Sequence, residues 1–338
     1  MKLLDNYSVK KGLHCASTSL SEIMNFNGAQ LSEGMVLALS NGLDFIYLNQ
    51  YYENQCRLVF TRSPMLENDF FNTIGVNFKW NNGTPNFDQV KKAIDQNLPI
   101  LFLTDPSLLP FFKTKIPSAA LHTITVIGYD EGGSVYVSDS ISSEILECSF
   151  DELLSSINVQ KPPFYIENLW AIVPKINFIE DLNNKLLLGM KKNAINMLNS
   201  NKSRGVMAIK RLSKEVTDWK NLINYEGLCR HVYASIELIG TGGSGFRKIY
   251  LSFLNEVKEH LPNFKTDTLI EKCVELISLY KKLARLFYLE SIKKEKTYII
   301  RIQEVLNNIY VIETFFWKTM LHEVGNQENK FKKVLYSK

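Results

Sequence analysis

Gly12-Leu13-His14-Cys15-Ala16-Ser17-Thr18-Ser19-Leu20 is the stretch on which the reading of this chain turns. Its pattern places Cys15 in the first turn of a helix, with Leu20, Ile23 and Met24 at helical spacing and Asn27-Gly28 as the stop. A cysteine there meets unsatisfied backbone N–H groups and the positive pole of the helix dipole, and both favour the thiolate. The thiolate is the form of cysteine that attacks carbonyl carbon. A lone cysteine is more often a small buried hydrophobe, so the rest of the chain has to decide between the two.

The next informative block is Leu121-His122-Thr123-Ile124-Thr125-Val126-Ile127-Gly128-Tyr129-Asp130, followed by Glu131-Gly132-Gly133-Ser134 and Val135-Tyr136-Val137-Ser138-Asp139-Ser140. Two β-rich runs around a glycine-bearing turn predict a hairpin, with His122 and Asp139 at its open end. Register decides whether they meet. A two-residue turn at Gly132-Gly133 sets Asp139 opposite Val126, four residues and about 13 Å from His122. A turn centred between Asp130 and Glu131 pairs His122 with Asp139 directly. Contact therefore requires a wider loop or a bulge near residues 129–133.

Around these blocks the pattern predicts a short helix over 31–39 with Ser32 as N-cap, a strand over 42–48, and a helix over 87–96 opened by Asn86 or Asp88. A buried strand follows over 99–105, then a helix over 150–157, a loop at Pro162-Pro163 and a strand over 168–173. Residues 50–80 show no pattern that assigns them. From Pro174 the periodicity becomes helical, with helices expected near 180–199, 204–223, 227–239, 246–260, 267–290 and 295–321. The expected organisation is a mixed α+β domain over 1–175 and an all-α domain over 176–338.

The chain has 338 residues, 45% hydrophobic and 22% charged, which suits two folded domains. Its net charge of +4 is small and spread along the chain, which argues against a nucleic-acid surface. No apolar run reaches the roughly 18 residues of a membrane span, and the polar N-terminus has no signal-peptide core, so a cytoplasmic protein without membrane partners is expected. Cys15, Cys56, Cys148, Cys229 and Cys273 are scattered and odd in number. They fit neither a disulfide framework nor a zinc site, and no metal is expected.

In the helical half, Ile239-Gly240-Thr241-Gly242-Gly243-Ser244-Gly245-Phe246-Arg247 carries four glycines in six positions ahead of a helix. It lacks the spacing of a nucleotide P-loop. It reads equally as a plain helix connection or as an anion site at Thr241, Gly242, Gly243 and Arg247, with the phosphate of a carrier arm as one candidate.

Thiol acyl transfer needs a nucleophile, a base and a group that orients the base. Cys15, His122 and Asp139 supply them in the chain order of papain-like folds. His14 is expected to point away from Cys15, as a structural or substrate-facing residue. The Cys15 backbone N–H can serve as one oxyanion donor. No Gln precedes Cys15 to serve as a second.

Together Gly12-Leu13-His14-Cys15, the Leu43-Asp44-Phe45 strand, the His122 hairpin and the Gly240-Thr241-Gly242-Gly243 to Phe246-Arg247 segment resemble the butirosin biosynthesis protein H family. The resemblance spans nearly the whole chain. It implies a papain-like (C39-type) cysteine peptidase fold followed by a helical domain. The implied activity moves an acyl group from the phosphopantetheine thioester of a carrier protein to an amine acceptor, with no bound cofactor. Two other readings stand beside it: a cysteine peptidase or amidase, and a non-catalytic metabolite-binding protein.

Overall fold

A computed structural model describes residues 1–49, 57–112, 121–161, 164–177, 179–198, 201–292 and 297–336. Cys56 and the Pro162-Pro163 loop lie outside the described residues. The first elements are β1 (Lys2–Leu3), α1 (Cys15–Phe26), α2 (Glu33–Leu39), β2 (Leu43–Asn49), β3 (Arg57–Arg62), α3 (Leu66–Ile74) and α4 (Phe87–Asp95). Then come β4 (Ile100–Thr104), β5 (His122–Tyr129), β6 (Ser134–Ser138), β7 (Leu146–Ser149), α5 (Phe150–Ile157), β8 (Asn158–Lys161), β9 (Phe164–Glu167) and β10 (Trp170–Ile172). Helices α6 (Leu182–Leu198), α7 (Gly205–Glu215), α8 (Tyr225–Glu237), α9 (Arg247–His260), α10 (Asp267–Ile292) and α11 (Ile299–Tyr336) follow. The mixture of sheet and helix is of the α+β kind. No helix among the described residues is long and apolar enough to cross a membrane.

The chain forms two compact units, but not by one cut after residue 175. Met1–Val36 and Ile74–Glu180 form the first; Leu37–Thr73 and Asp181–Lys338 form the second. The C-terminal unit is therefore not all-α, because it includes the hairpin of β2 and β3. The reason lies in β2, which is buried from Leu43 to Tyr47 on both faces and needs cover on each. Helices α6 and α7 pack on β2, and α8 packs on β3.

In the first unit, an antiparallel sheet runs in the order β10-β4-β5-β6-β7, and β1 pairs with the far end of β5. Alternate residues Ile124 and Val126 of β5, Ile100 and Phe102 of β4, and Val135 and Val137 of β6 join one apolar core. Val90, Ala93 and Ile94 of α4 and Leu153 and Ile157 of α5 complete it. Both helices start on full capping boxes, Asn86 with Gln89 and Ser149 with Glu152. Helix α1 packs on β5, and buried Glu22 clamps it there. That carboxylate accepts Ser138 Oγ at 2.5 Å, the Lys10 N–H at 2.7 Å and Tyr7 OH at 3.3 Å.

In the second unit, Arg247 and Glu313 form an ion pair of 2.7 Å with both side chains 1% exposed. Tyr280 OH and Trp317 Nε1 also donate to Glu313, at 3.1 and 2.7 Å, and the guanidinium lies 4.3 Å from the Tyr280 ring centre. Such a pair is costly to break from one side, because the partner left behind keeps its charge without compensation. Glu313→Ala should destabilise the protein by about 3–5 kcal/mol in denaturant unfolding, and Arg247→Met with Glu313→Leu should recover much of that loss.

Candidate active site

The start of α1 is built by its leading residues. His14 is the N-cap, and its Nδ1 accepts the Ser17 N–H at 3.2 Å. Glu33 then accepts the N–H groups of Leu13 and His14 at 2.9 and 3.1 Å and the Ser17 hydroxyl at 2.8 Å. Gly12 donates its N–H to the Ser140 carbonyl at 2.9 Å, which ties this segment to the residue after Asp139. A Cβ on Gly12 would lie 1.9 Å from Thr18 Oγ1, so only glycine fits that approach.

His122 opens β5 opposite Thr104 of β4. The β5–β6 ladder pairs Tyr129 with Val135 and Gly128 with Tyr136, then shifts by one residue and pairs Val126 with Val137 and Thr125 with Ser138. Two one-residue shifts bring this about: a three-residue loop over 131–133, within the expected stretch, and a bulge inside β5 at Ile127, which lies outside it. Continued one residue further, the register sets Asp139 beside Ile124, diagonal to His122 and within side-chain reach. His122 Nε2 meets Asp139 Oδ2 at 2.7 Å. The carboxylate is fully buried, and its other oxygen accepts the Ile141 N–H at 3.1 Å. Phe112 presents its edge to the imidazole, ring centres 5.1 Å apart.

With Nε2 given to Asp139, Nδ1 is the nitrogen left to His122 for the thiol. Cys15 is 7% exposed, and burial alone raises a thiol's pKa. The electrostatic interactions and hydrogen bonds of His14 and His122 outweigh that burial, and the Cys15 pKa falls well below the ordinary thiol value. Burial also opposes a charged His122, but the charges of Cys15 and Asp139 and their hydrogen bonds push its pKa up to about 10. A thiolate–imidazolium pair therefore holds between the lowered thiol value and the raised imidazole value. Where no imidazole intervenes, burial wins. Cys148, Cys229 and Cys273 are each pushed up to about 12, by burial first and then by nearby glutamates.

Of the residues expected to act, Cys15, His122 and Asp139 are brought together. His14 is not turned away from Cys15: as the buried N-cap, it holds its polar ring where it interacts with the thiol. The anion site at Thr241, Gly242, Gly243 and Arg247 is not what the structure builds. Arg247 faces inward, with Nε and one terminal nitrogen on Glu313 and the other on the Gly245 carbonyl at 2.6 Å. Thr241 is buried, donating to the Ile236 carbonyl at 2.9 Å and accepting the Gly243 N–H at 3.0 Å. Among the described residues, no cluster of His, Cys, Asp and Glu could hold a metal ion. Sequence reasoning missed Glu33 and Ser17, whose only signal was their type near a helix start.

Residues 14–140 match the family described as butirosin biosynthesis protein H, N-terminal. Over that segment the chain is similar to the butirosin biosynthesis protein H family. Residues 157–320 match a domain of unknown function, DUF4872. No curated protein matches the chain. The matched N-terminal residues include Cys15, His122 and Asp139.

Because its pKa is lowered, Cys15 keeps its thiolate as the pH falls through the range where ordinary thiols protonate. Iodoacetamide at about pH 7 should alkylate Cys15 well ahead of Cys148, Cys229 and Cys273, as peptide mapping by mass spectrometry would report. In His122→Ala that preference should weaken, with alkylation rising only at higher pH.

Proposed function

We propose that this protein is a cysteine-dependent acyltransferase that forms an amide in specialised metabolism, on a papain-like (C39-type) catalytic arrangement. The observation that carries the reading is the 2.7 Å bond from His122 to Asp139, together with a Cys15 thiol whose proton affinity His122 lowers. A nucleophile, a base and an orienting carboxylate are the parts an acyl-enzyme mechanism needs.

The Cys15 thiolate attacks the carbonyl carbon of an acyl thioester carried on the phosphopantetheine arm of a carrier protein. The new C–S bond forms, the old one breaks, and the departing thiolate takes the proton of His122. Now neutral, His122 can receive a proton from the acceptor amine as its nitrogen attacks the acyl-enzyme. The Cys15 thiolate leaves, and thiolate and imidazolium are restored. Asp139 holds the ring throughout and gives up no proton. The same site would hydrolyse an amide if water replaced the amine, so the acceptor separates a transferase from a peptidase or amidase. A reactive thiolate suits a reducing compartment, which is consistent with a cytoplasmic enzyme.

The test is a single-turnover assay with an acylated carrier protein and a panel of small amines, followed by mass spectrometry of the protein and the products. An acyl adduct on Cys15 that converts to amide supports the reading, whereas free acid alone at every amine concentration would make it a hydrolase. Cys15→Ala should abolish the adduct, and His122→Ala should slow its formation by about 10²–10⁴-fold. Asp139→Asn should lose less than His122→Ala, since it orients the base rather than moving a proton.

A further inference from the structure

Glu22 is a buried carboxylate that the mechanism has not used. It is 2% exposed, on the helix that presents Cys15. The two residues are seven apart, close to two full turns, so they share one face of α1 about 10 Å from each other along its axis. A carboxylate withdrawn from water is costly unless donors replace the water. An aliphatic side chain would pack the helix on the sheet without that cost. It would not fix the helix at one point along the strand, because apolar contact has no direction whereas a hydrogen bond has one.

Glu22 holds chain on two sides of the site. On one side its Oε2 accepts Ser138 Oγ at 2.5 Å, and Ser138 immediately precedes Asp139. On the other its Oε1 accepts the Lys10 N–H at 2.7 Å and its Oε2 the Tyr7 hydroxyl at 3.3 Å, in the segment that leads into Cys15. Lys10 Nζ fastens the same segment to α1 through Ser21 Oγ at 2.9 Å. The residue after Asp139 is tied as well, since the Ser140 carbonyl accepts the Gly12 N–H at 2.9 Å. Asp139 is thus bracketed by two bonds to the element of Cys15, and it passes that position to His122 through their 2.7 Å bond. Every one of these residues belongs to the first unit.

We infer that Glu22 is a positioning residue of the site: through Ser138 it fixes where Asp139, and with it the His122 ring, stands relative to the Cys15 thiol. It makes and breaks no bond of the substrate. Its effect on acylation rests on the acyl-transfer reading; its effect on the reactivity of the thiol does not. The direction of that effect separates position from charge. Removing a negative charge from the neighbourhood of a thiol makes the thiolate easier to form, whereas displacing the imidazole makes it harder.

The test follows alkylation of Cys15 by iodoacetamide against pH at low temperature, with the melting temperature of each variant measured beside it. Glu22→Ala should move the profile to higher pH by about one pH unit. It should also slow acylation of Cys15 by an acyl N-acetylcysteamine thioester about 10²-fold. Glu22→Gln loses the charge but keeps an oxygen for Lys10 and an amide for Ser138, whose hydroxyl can turn to accept. Its profile should not rise, and it should recover most of the acylation rate. Ser138→Ala removes the same tie from its other end and should shift the profile upward, a result that does not need Glu22→Ala to fold. Leu153→Ala, a core substitution in α5, should lower the melting temperature and leave the profile in place. A natural or lowered profile in Glu22→Ala, or a natural one in Ser138→Ala, would overturn the inference. So would an equal upward shift in Leu153→Ala, since lost stability alone would then account for the effect. If the natural protein takes no acyl group while the profiles of Glu22→Ala and Ser138→Ala still rise, the acyl-transfer reading fails and the positioning role stands.

Discussion

The bond between His122 Nε2 and Asp139 Oδ2 is the constraint on which the candidate site depends. It commits one ring nitrogen to a buried carboxylate and so commits the other to the thiol. Burial would neutralise any one of these three groups on its own. Charged together they compensate one another, which is why removing any single member disturbs the other two. The chain carries its own comparison for this balance. Cys148, Cys229 and Cys273 are also buried, and without an imidazole they are driven to about 12. Cys15, buried as well, goes the other way because two imidazoles adjoin it.

Much of the first unit was legible because its signals are local. The helix of Cys15, the capping residues Ser32 and Asn86, and both strands of the His122 hairpin follow from spacing and turn chemistry. Register was not legible in the same way. A bulge at Ile127 has no residue signature, since it is set by how β5 satisfies β4 and β1 on one side and β6 on the other. The expected wider loop is present over 131–133, but it supplies only one residue of the shift, and the bulge supplies the other. Glu22 and Glu33 escaped notice for a related reason. A glutamate in a helix pattern reads as solvated surface, and only the tertiary structure brings backbone N–H and serine hydroxyl donors to these two.

The second unit shows where a familiar motif misleads. Glycines before a helix suggest an anion cradle, but Gly240, Gly242, Gly243 and Gly245 take positive φ here, as do Ser244 and Phe246. The run of left-handed backbone turns the chain so sharply that Arg247 enters the core at the start of α9. Gly245 also lies close to Thr61 of β3, where a Cβ would meet side-chain atoms at 3.0 Å. Conformation rather than phosphate explains the glycines. The long helices around them were the most readable part of the chain, because their apolar periodicity persists over many turns.

The division of the chain also bears on how the protein is made. Residues 74–180 complete the first unit, so it has all its parts once the ribosome has passed that point. The β2–β3 hairpin emerges earlier but belongs with helices that begin only at residue 182. Its apolar strands must therefore wait, without their partners, through the synthesis of more than a hundred further residues. An early-made segment in that position is a natural client for a chaperone, and slowing translation past residue 180 would prolong its exposure rather than help it fold.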